Sequence, residues 1–138
     1  MSGTVRVDST ARLATALCCL GIVLMVGCRT APVHNLPRTA TAVPQTVTAA
    51  EVSEAIVEGG RRAGWRVREV SPGSLRAEKT LRTHRALVAI DHDIVGFSIT
   101  LLEADNLLYD GSRVHEAYNA WAKELEKAIQ DELRFRFP

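Results

Sequence analysis

The sequence predicts a small α+β domain of two layers, in which a four-stranded antiparallel meander is covered on one face by an N-terminal and a C-terminal helix. Two observations predict it. Apolar side chains recur at helical spacing near both ends of residues 48–138. Between these ends they alternate with polar side chains in four short runs separated by turn residues. A chain of 138 residues has room for one such domain.

An export signal is predicted to precede this domain. Residues 1–12 carry two arginines and one aspartate, and the fifteen residues from Leu13 to Gly27 carry no charge. A helix of that length extends about 22 Å, which is short of the roughly 30 Å hydrocarbon core of a bilayer. The length is typical of the apolar part of a secretory signal, and a permanent transmembrane anchor is the alternative. We predict that residues 1–27 are removed.

The apolar segment ends in Leu24-Met-Val-Gly-Cys28, which resembles the lipobox of bacterial lipoproteins. The resemblance implies that the chain is cut before Cys28 and that this residue carries the acyl chains that anchor the protein. Met25 departs from the leucine usual at its position. Because Arg29 and not aspartate follows the cysteine, the resemblance favours the outer membrane over the inner one, with the domain facing the periplasm.

The stretch after the cysteine is expected to be a tether. Residues 29–47 hold three prolines and many small polar residues, without helical or alternating periodicity. We therefore predict a lipidated Cys28 and a flexible linker over 28–47, followed by a compact domain over 48–138.

The first element of the domain is a helix. The capping-box pattern that begins at Thr48 predicts a helix over 49–63, with Gly64 as its stop. Gly59 and Gly60 weaken such a helix, so we expect another element to approach it closely there.

The middle of the domain is predicted to be a meander. Residues 65–70, 75–81 and 83–91 alternate between apolar and polar side chains, and Ser71-Pro-Gly-Ser74 predicts a turn. A fourth run is expected to point four side chains inward, namely Val95, Phe97, Ile99 and Leu101.

A longer helix closes the domain. Asp110-Gly-Ser112 is expected to open it. Its apolar stripe comprises Val114, Tyr118, Trp121, Leu125, Ala128 and Ile129.

A set of short motifs within residues 50–135 resembles small lipoproteins of Gram-negative bacteria. These motifs are Arg82-Thr-His84, Ile90-Asp-His-Asp93, Ser98-Ile-Thr100, Asn106-Leu-Leu-Tyr109-Asp110, Val114-His115 and Tyr118-Asn119-x-Trp121. The resemblance implies the same architecture and an envelope address, and it implies no catalytic residues.

Composition excludes several classes of function. From Cys28 onward the chain carries 15 Lys or Arg and 15 Asp or Glu, so nucleic acid is not an expected partner. Cys18 and Cys19 lie in the segment predicted to be removed, which leaves no disulfide and no thiolate metal site. His84 and His92 are separated by eight positions of one strand, about 26 Å at 3.3 Å per residue. We therefore expect no metal and no cofactor.

Four arginines are predicted to point away from the core: Arg66, Arg68, Arg76 and Arg85. Pairing with Glu78 across the strands is the ordinary reason for such a face. The alternative is a docking surface for an anionic envelope component, such as lipid headgroups, a polyanionic glycan or an acidic protein patch.

A second candidate region lies at the start of the last helix. His115, Tyr118 and Asn119 could line a pocket with Asn106 and Tyr109. The alternative is that His115 donates to a backbone carbonyl while Tyr118 packs in the core. No serine or cysteine nucleophile accompanies the group at an interpretable spacing.

These observations predict a membrane-tethered envelope lipoprotein that acts as a non-catalytic binding or structural module and is not an enzyme. The alternative is a small periplasmic enzyme or enzyme inhibitor that uses the region of His115, Tyr118 and Asn119. The sequence leaves the identity of the partner and the oligomeric state open.

Overall fold

An antiparallel sheet and two helices make up the fold of residues 29–138, which are the residues described by the computed structural model. The elements are β1 (Thr30–Pro32), β2 (Leu36–Ala40), α1 (Ala49–Arg62), β3 (Arg66–Ser71), β4 (Ser74–Leu81), β5 (His84–His92), β6 (Gly96–Asp105), β7 (Arg113–His115) and α2 (Glu116–Arg136). The spatial order of the main sheet is β2-β6-β5-β4-β3, and β1 pairs with β7. The predicted signal, its cleavage and Cys28 lie outside these residues.

Helix α1 begins and ends where its local sequence predicts. The N–H of Glu51 donates to Thr48 Oγ1 at 3.2 Å, and the N–H of Thr48 donates to Glu51 Oε2 at 2.8 Å. This capping box satisfies backbone groups that the first turn would leave unpaired. Gly64 follows the helix with a φ of 80°. A Cβ added to Gly59 would lie 2.8 Å from Ile129 Cα, so the close approach expected there is contact with α2.

The predicted four-stranded meander is confirmed as β3 to β6, and the sheet has a fifth strand that we did not predict. One detail of the fourth run is wrong. Val95 was expected to point inward, but its side chain is 66% exposed. It lies in the β5–β6 turn, where its N–H and that of Gly96 donate to Asp93 Oδ1 at 2.7 and 2.9 Å. The turn thus removes Val95 from the alternation of the strand.

The fifth strand corrects the expected flexible tether. β1 and β2 lie within residues 29–47, and Leu36 of β2 is buried against the sheet. Pro37 gave the stretch the composition of a linker, but β2 is an edge strand, where a residue without an N–H is tolerated. Asn35 Oδ1 accepts from the N–H of Leu101 at 2.9 Å and secures the strand.

The start of the second helix also differs from expectation. Residues Arg113–His115 form β7 and pair with β1, so α2 begins at Glu116 and not next to Ser112. Asp110 Oδ1 instead accepts from the N–H groups of Ser112 and Arg113, at 2.8 and 2.7 Å, in the turn before β7.

Both helices share one hydrophobic core with the sheet. Buried members include Val52 and Ile56 of α1, Leu75, Val88, Ile90, Phe97 and Ile99 of the sheet, and Tyr118, Trp121, Leu125, Ile129 and Leu133 of α2. Within residues 29–138 no helix has the length and apolar content needed to cross a membrane.

Candidate functional site

The four predicted arginines do lie together on the sheet. Arg66 is opposite Glu78, and Arg68 is directly opposite Arg76 in the β3–β4 register. Together with Glu78, Arg85 and Leu87 they line a cavity of about 210 Å³. We call Arg66, Arg68, Arg76 and Arg85 the arginine face.

Carboxylates neutralise part of the arginine face. Arg85 donates to Glu78, Glu103 and Asp105 at 2.9, 3.1 and 2.8 Å, and these hydrogen bonds raise the pKa of its guanidinium. Within residues 29–138, Arg68 and Arg76 make no ion pair. Arg66 also lies 4.0 Å from Glu78. Pairing with carboxylates therefore accounts for Arg85 and Arg66 and leaves Arg68 and Arg76 opposed to each other.

The predicted region around His115 has structural contacts. His115 Nδ1 accepts from the N–H of Ala117 at 3.1 Å, so the ring caps α2 and does not donate to a carbonyl as expected. Tyr118 is buried, burial raises the pKa of its hydroxyl, and Tyr118 Oη has no hydrogen-bond partner among the described residues. Asn119 accepts from the N–H of His34 and donates to the carbonyl of Pro32, both at 2.9 Å. Asn119 thus holds the N-terminal strands against α2.

A larger cavity lies at the end of the sheet opposite to His84 and His115. Its volume is about 610 Å³, and it runs between the first half of α1 and the β3–β4 turn. The lining residues are Ala49, Ala50, Ser53, Glu54, Val57, Glu58, Glu69, Pro72, Gly73, His92 and Arg136. We call this cavity the distal groove.

His92 is a buried polar residue of the distal groove. It is 7% exposed. Its backbone N–H donates to the carbonyl of Gly73 at 2.8 Å, and this bond connects the end of β5 to the β3–β4 turn. Neither ring nitrogen has a hydrogen-bond partner within residues 29–138. Burial lowers the pKa of the imidazole, against the opposing effect of Glu69, Asp93 and Asp91. The ring is therefore neutral near pH 7, and both of its nitrogens are shielded from solvent.

The remaining polar groups of the distal groove are mainly acidic. Glu58 accepts from Arg61 and Arg62, and these hydrogen bonds lower its pKa to about 2. Glu54 lies 3.6 Å from Arg136. Glu69 makes no ion pair with any side chain that the structure describes. Glu69 therefore supplies a carboxylate that a ligand can pair with.

The geometry of the distal groove favours binding over nucleophilic catalysis. Ser53 lines the cavity together with His92, but the imidazole makes no hydrogen bond to it, so the pairing that activates a serine is not formed. Among residues 29–138, no three His, Cys, Asp or Glu side chains are grouped so as to hold a metal ion.

Our sequence reasoning missed this groove. It placed His92 on one strand with His84 and considered the two histidines only as candidate metal ligands. The signal that could have found it is the two-residue alternation of side chains along a strand. His92 follows Ala86, Val88 and Ile90 on the core-facing side of β5. A histidine that continues an apolar alternation is expected to be buried. The α1 side of the groove could not be placed from sequence.

Comparison with known proteins identifies no relative. No protein-family model, no curated protein and no solved structure matches the chain.

Proposed function

We propose that this chain is an envelope lipoprotein, anchored through an acylated Cys28, whose domain binds a partner non-catalytically at the distal groove. The proposal places the anchor in the outer membrane, facing the periplasm, because Arg29 follows the cysteine. The proposal also includes the predicted layering, in which both helices lie on one side of the sheet and the arginine face, on the other side, is not covered by a helix. The core that α1 and α2 share with Leu75 and Ile90 supports this layering.

The observation that carries the proposal is the position of the distal groove relative to residue 29. The carbonyl of Arg29 accepts from the N–H of Glu116 at 2.9 Å, and the ring of His115 stacks on that of His84, at the start of β5. The distal groove includes His92, at the end of β5. A strand of this length separates its ends by about 26 Å. An anchor next to Arg29 would leave the groove facing away from the membrane.

The chemistry of the distal groove indicates the class of partner. Ala49, Ala50 and Val57 provide an apolar wall, while Glu69 provides an exposed carboxylate. A protein segment with a basic group and small apolar side chains would satisfy these groups.

The anchor is tested by acyl labelling in the native host. We expect Cys28→Ser to lose the labelled acyl chains and to leave the membrane fraction. Cys19→Ser is the matched control, because it makes the same change within the segment predicted to be removed. Mass spectrometry of the mature wild-type N-terminus should find residue 28. A wild-type protein that begins at Met1 without acyl chains would refute the anchor.

The distal groove is tested separately by site-specific photocrosslinking. A photoreactive residue at Ser53 should give a discrete adduct in cells, and one at the exposed Ala120 of α2 should not. Glu69→Lys should reduce the adduct, while Glu124→Lys, which makes the same charge change on α2, should leave it intact. Equal adducts at both positions would refute the groove as the binding site.

A second candidate surface is the arginine face. Like charges directly opposite each other destabilise a strand pair, and Arg68 faces Arg76. An anionic envelope component would relieve that repulsion. Dextran sulfate should therefore bind the wild type more tightly than Arg68→Glu/Arg76→Glu in calorimetric titration, with uncharged dextran as the control. Equal binding of the two proteins would refute this surface.

A further inference from the structure

We propose that the end of the domain next to residue 29 docks onto the surface of an anionic bilayer, so that the lipoprotein is oriented and not merely tethered. This proposal rests on the acyl anchor proposed at Cys28. The docking surface comprises Arg29, Leu81, Arg82, Leu108 and Arg113, and we call it the anchor end.

The chain leaves little slack between the proposed anchor and the folded domain. Thr30 already pairs with His115, and the carbonyl of Arg29 is hydrogen-bonded to α2. Arg29 is thus the one residue between Cys28 and a paired strand. A fully extended residue spans about 3.5 Å, so acyl chains on Cys28 would hold this end at the headgroups.

Hydrogen bonds and a ring stack bring two exposed leucines to this end. His84 and His115 stack with ring centroids 6.2 Å apart, and Leu81 is directly opposite His84 in the β4–β5 register. The N–H of His115 donates to the carbonyl of Leu107 at 2.7 Å, which places Leu108 next to β7. The side chains of Leu81 and Leu108 are 53% and 57% exposed. They provide apolar groups that can enter the interfacial region of a bilayer.

The charges of the anchor end fit an anionic surface. Arg29, Arg82 and Arg113 are exposed, and none forms an ion pair in the part of the chain that the structure describes.

Three carboxylates lie nearby. Asp105 is bound by Arg85, Asp110 accepts from backbone N–H groups of its own turn, and Glu116 begins α2. Among the described residues none of the three arginines is within ion-pair distance of these carboxylates, although Arg113 is close enough to Asp110 to help lower the pKa of that carboxyl. Each Lys or Arg near an anionic membrane strengthens attachment, and the effect extends over about one Debye length.

Backbone conformation singles out the same end. Arg82, Asn106 and Leu108 have φ values of 56°, 55° and 53°, and Ala42 is the other non-glycine residue with positive φ within residues 29–138. A left-handed leucine is uncommon, and here it holds an apolar side chain in solvent. Strained residues of this kind cluster at binding sites, and a bilayer would bury the side chain that the strained turn displays.

The test uses the lipidated protein reconstituted in vesicles. The mature chain has no thiol besides Cys28, which is acylated, so an introduced cysteine is the one labelling site. A fluorophore is attached at Leu108→Cys or, as the matched control, at Val95→Cys, which is somewhat more exposed and lies at the opposite end of the sheet. Quenching by brominated lipids is measured in phosphatidylcholine vesicles with and without phosphatidylglycerol.

We expect strong quenching at position 108 and little at position 95, with the difference greatest in phosphatidylglycerol vesicles. Arg29→Glu/Arg82→Glu should lower the ratio of docked to undocked protein by at least about fivefold for each arginine. Lys123→Glu/Arg134→Glu, which makes the same charge change on the exposed side of α2, should leave the ratio unchanged.

The failures of anchor and docking are distinguishable. Protein that sediments with pure phosphatidylcholine vesicles but is quenched equally at positions 108 and 95 has the anchor, and the docking is refuted. A larger effect of Lys123→Glu/Arg134→Glu than of Arg29→Glu/Arg82→Glu would also refute docking at the anchor end. Protein that does not sediment with phosphatidylcholine vesicles lacks the anchor, which refutes the proposed function and the docking together.

Discussion

Acidification should destabilise the domain through His92. In the folded state this imidazole is 7% exposed, with no hydrogen-bond partner for either nitrogen within residues 29–138. Protonation would place an imidazolium in a site that lowers its pKa from the ordinary value of 6.5, even though Glu69, Asp91 and Asp93 attract it. The unfolded chain has no such penalty, so protons bind preferentially to the unfolded state.

The sign and the size follow from this difference in proton binding. A lowered pKa in the folded state means that stability from this group is complete above the unfolded pKa and is lost as the pH falls through it. One proton changes the free energy of unfolding by at most about 1.4 kcal/mol per pH unit. Lowering the pH from about 7.5 to about 5.5 should therefore cost up to about 1.4 kcal/mol through His92 alone.

The assay is urea denaturation of the wild type and His92→Gln at a series of pH values. Because glutamine does not titrate, the difference in unfolding free energy between the two proteins should shrink or reverse on acidification. His84→Gln, at the opposite end of β5, is the matched control for removing a histidine from the same strand. Parallel pH profiles for the wild type and His92→Gln would refute the reasoning.

Two further substitutions test the core. Gly59→Ala would place Cβ 2.8 Å from Ile129 Cα, an overlap of about 1 Å with the backbone of α2. Overpacking of about 1–3 kcal/mol should exceed the gain of about 1 kcal/mol in helix propensity, so guanidinium denaturation should show a net loss of stability, while Ser53→Ala changes little. Tyr118→Phe should raise the unfolding free energy by about 1 kcal/mol, because it removes a buried hydroxyl without a partner in the described residues. Tyr109→Phe is its control, and a lower melting temperature for Tyr118→Phe would indicate a bound water.

Local patterns predicted most of the secondary structure. The capping box at Thr48 and the alternation from Trp65 depend on hydrogen bonds and side-chain directions set within a few residues, so they can be read without knowing the partners. The same holds for Tyr118, Trp121, Leu125 and Ile129 of the predicted stripe, whose burial in α2 is confirmed, whereas Ala128 is half-buried. The export signal and the lipobox at Cys28 are local patterns too, and they remain predictions.

Long-range pairing determined the rest. From sequence alone Pro37 indicates a linker, but β2 lies at the edge of the sheet. Residues 113–115 fit the helical pattern of α2, but their pairing with β1 makes them a strand. The distal groove forms because α1 passes over the β3–β4 turn, which brings Ser53 and His92 to one cavity across nearly forty positions of sequence. The sequence by itself determined α1, the strands β3 to β6 and most of α2, and it suggested the candidate anchor, because these depend on neighbours along the chain. Only the tertiary structure decided which surfaces are free to bind, because that depends on neighbours in space.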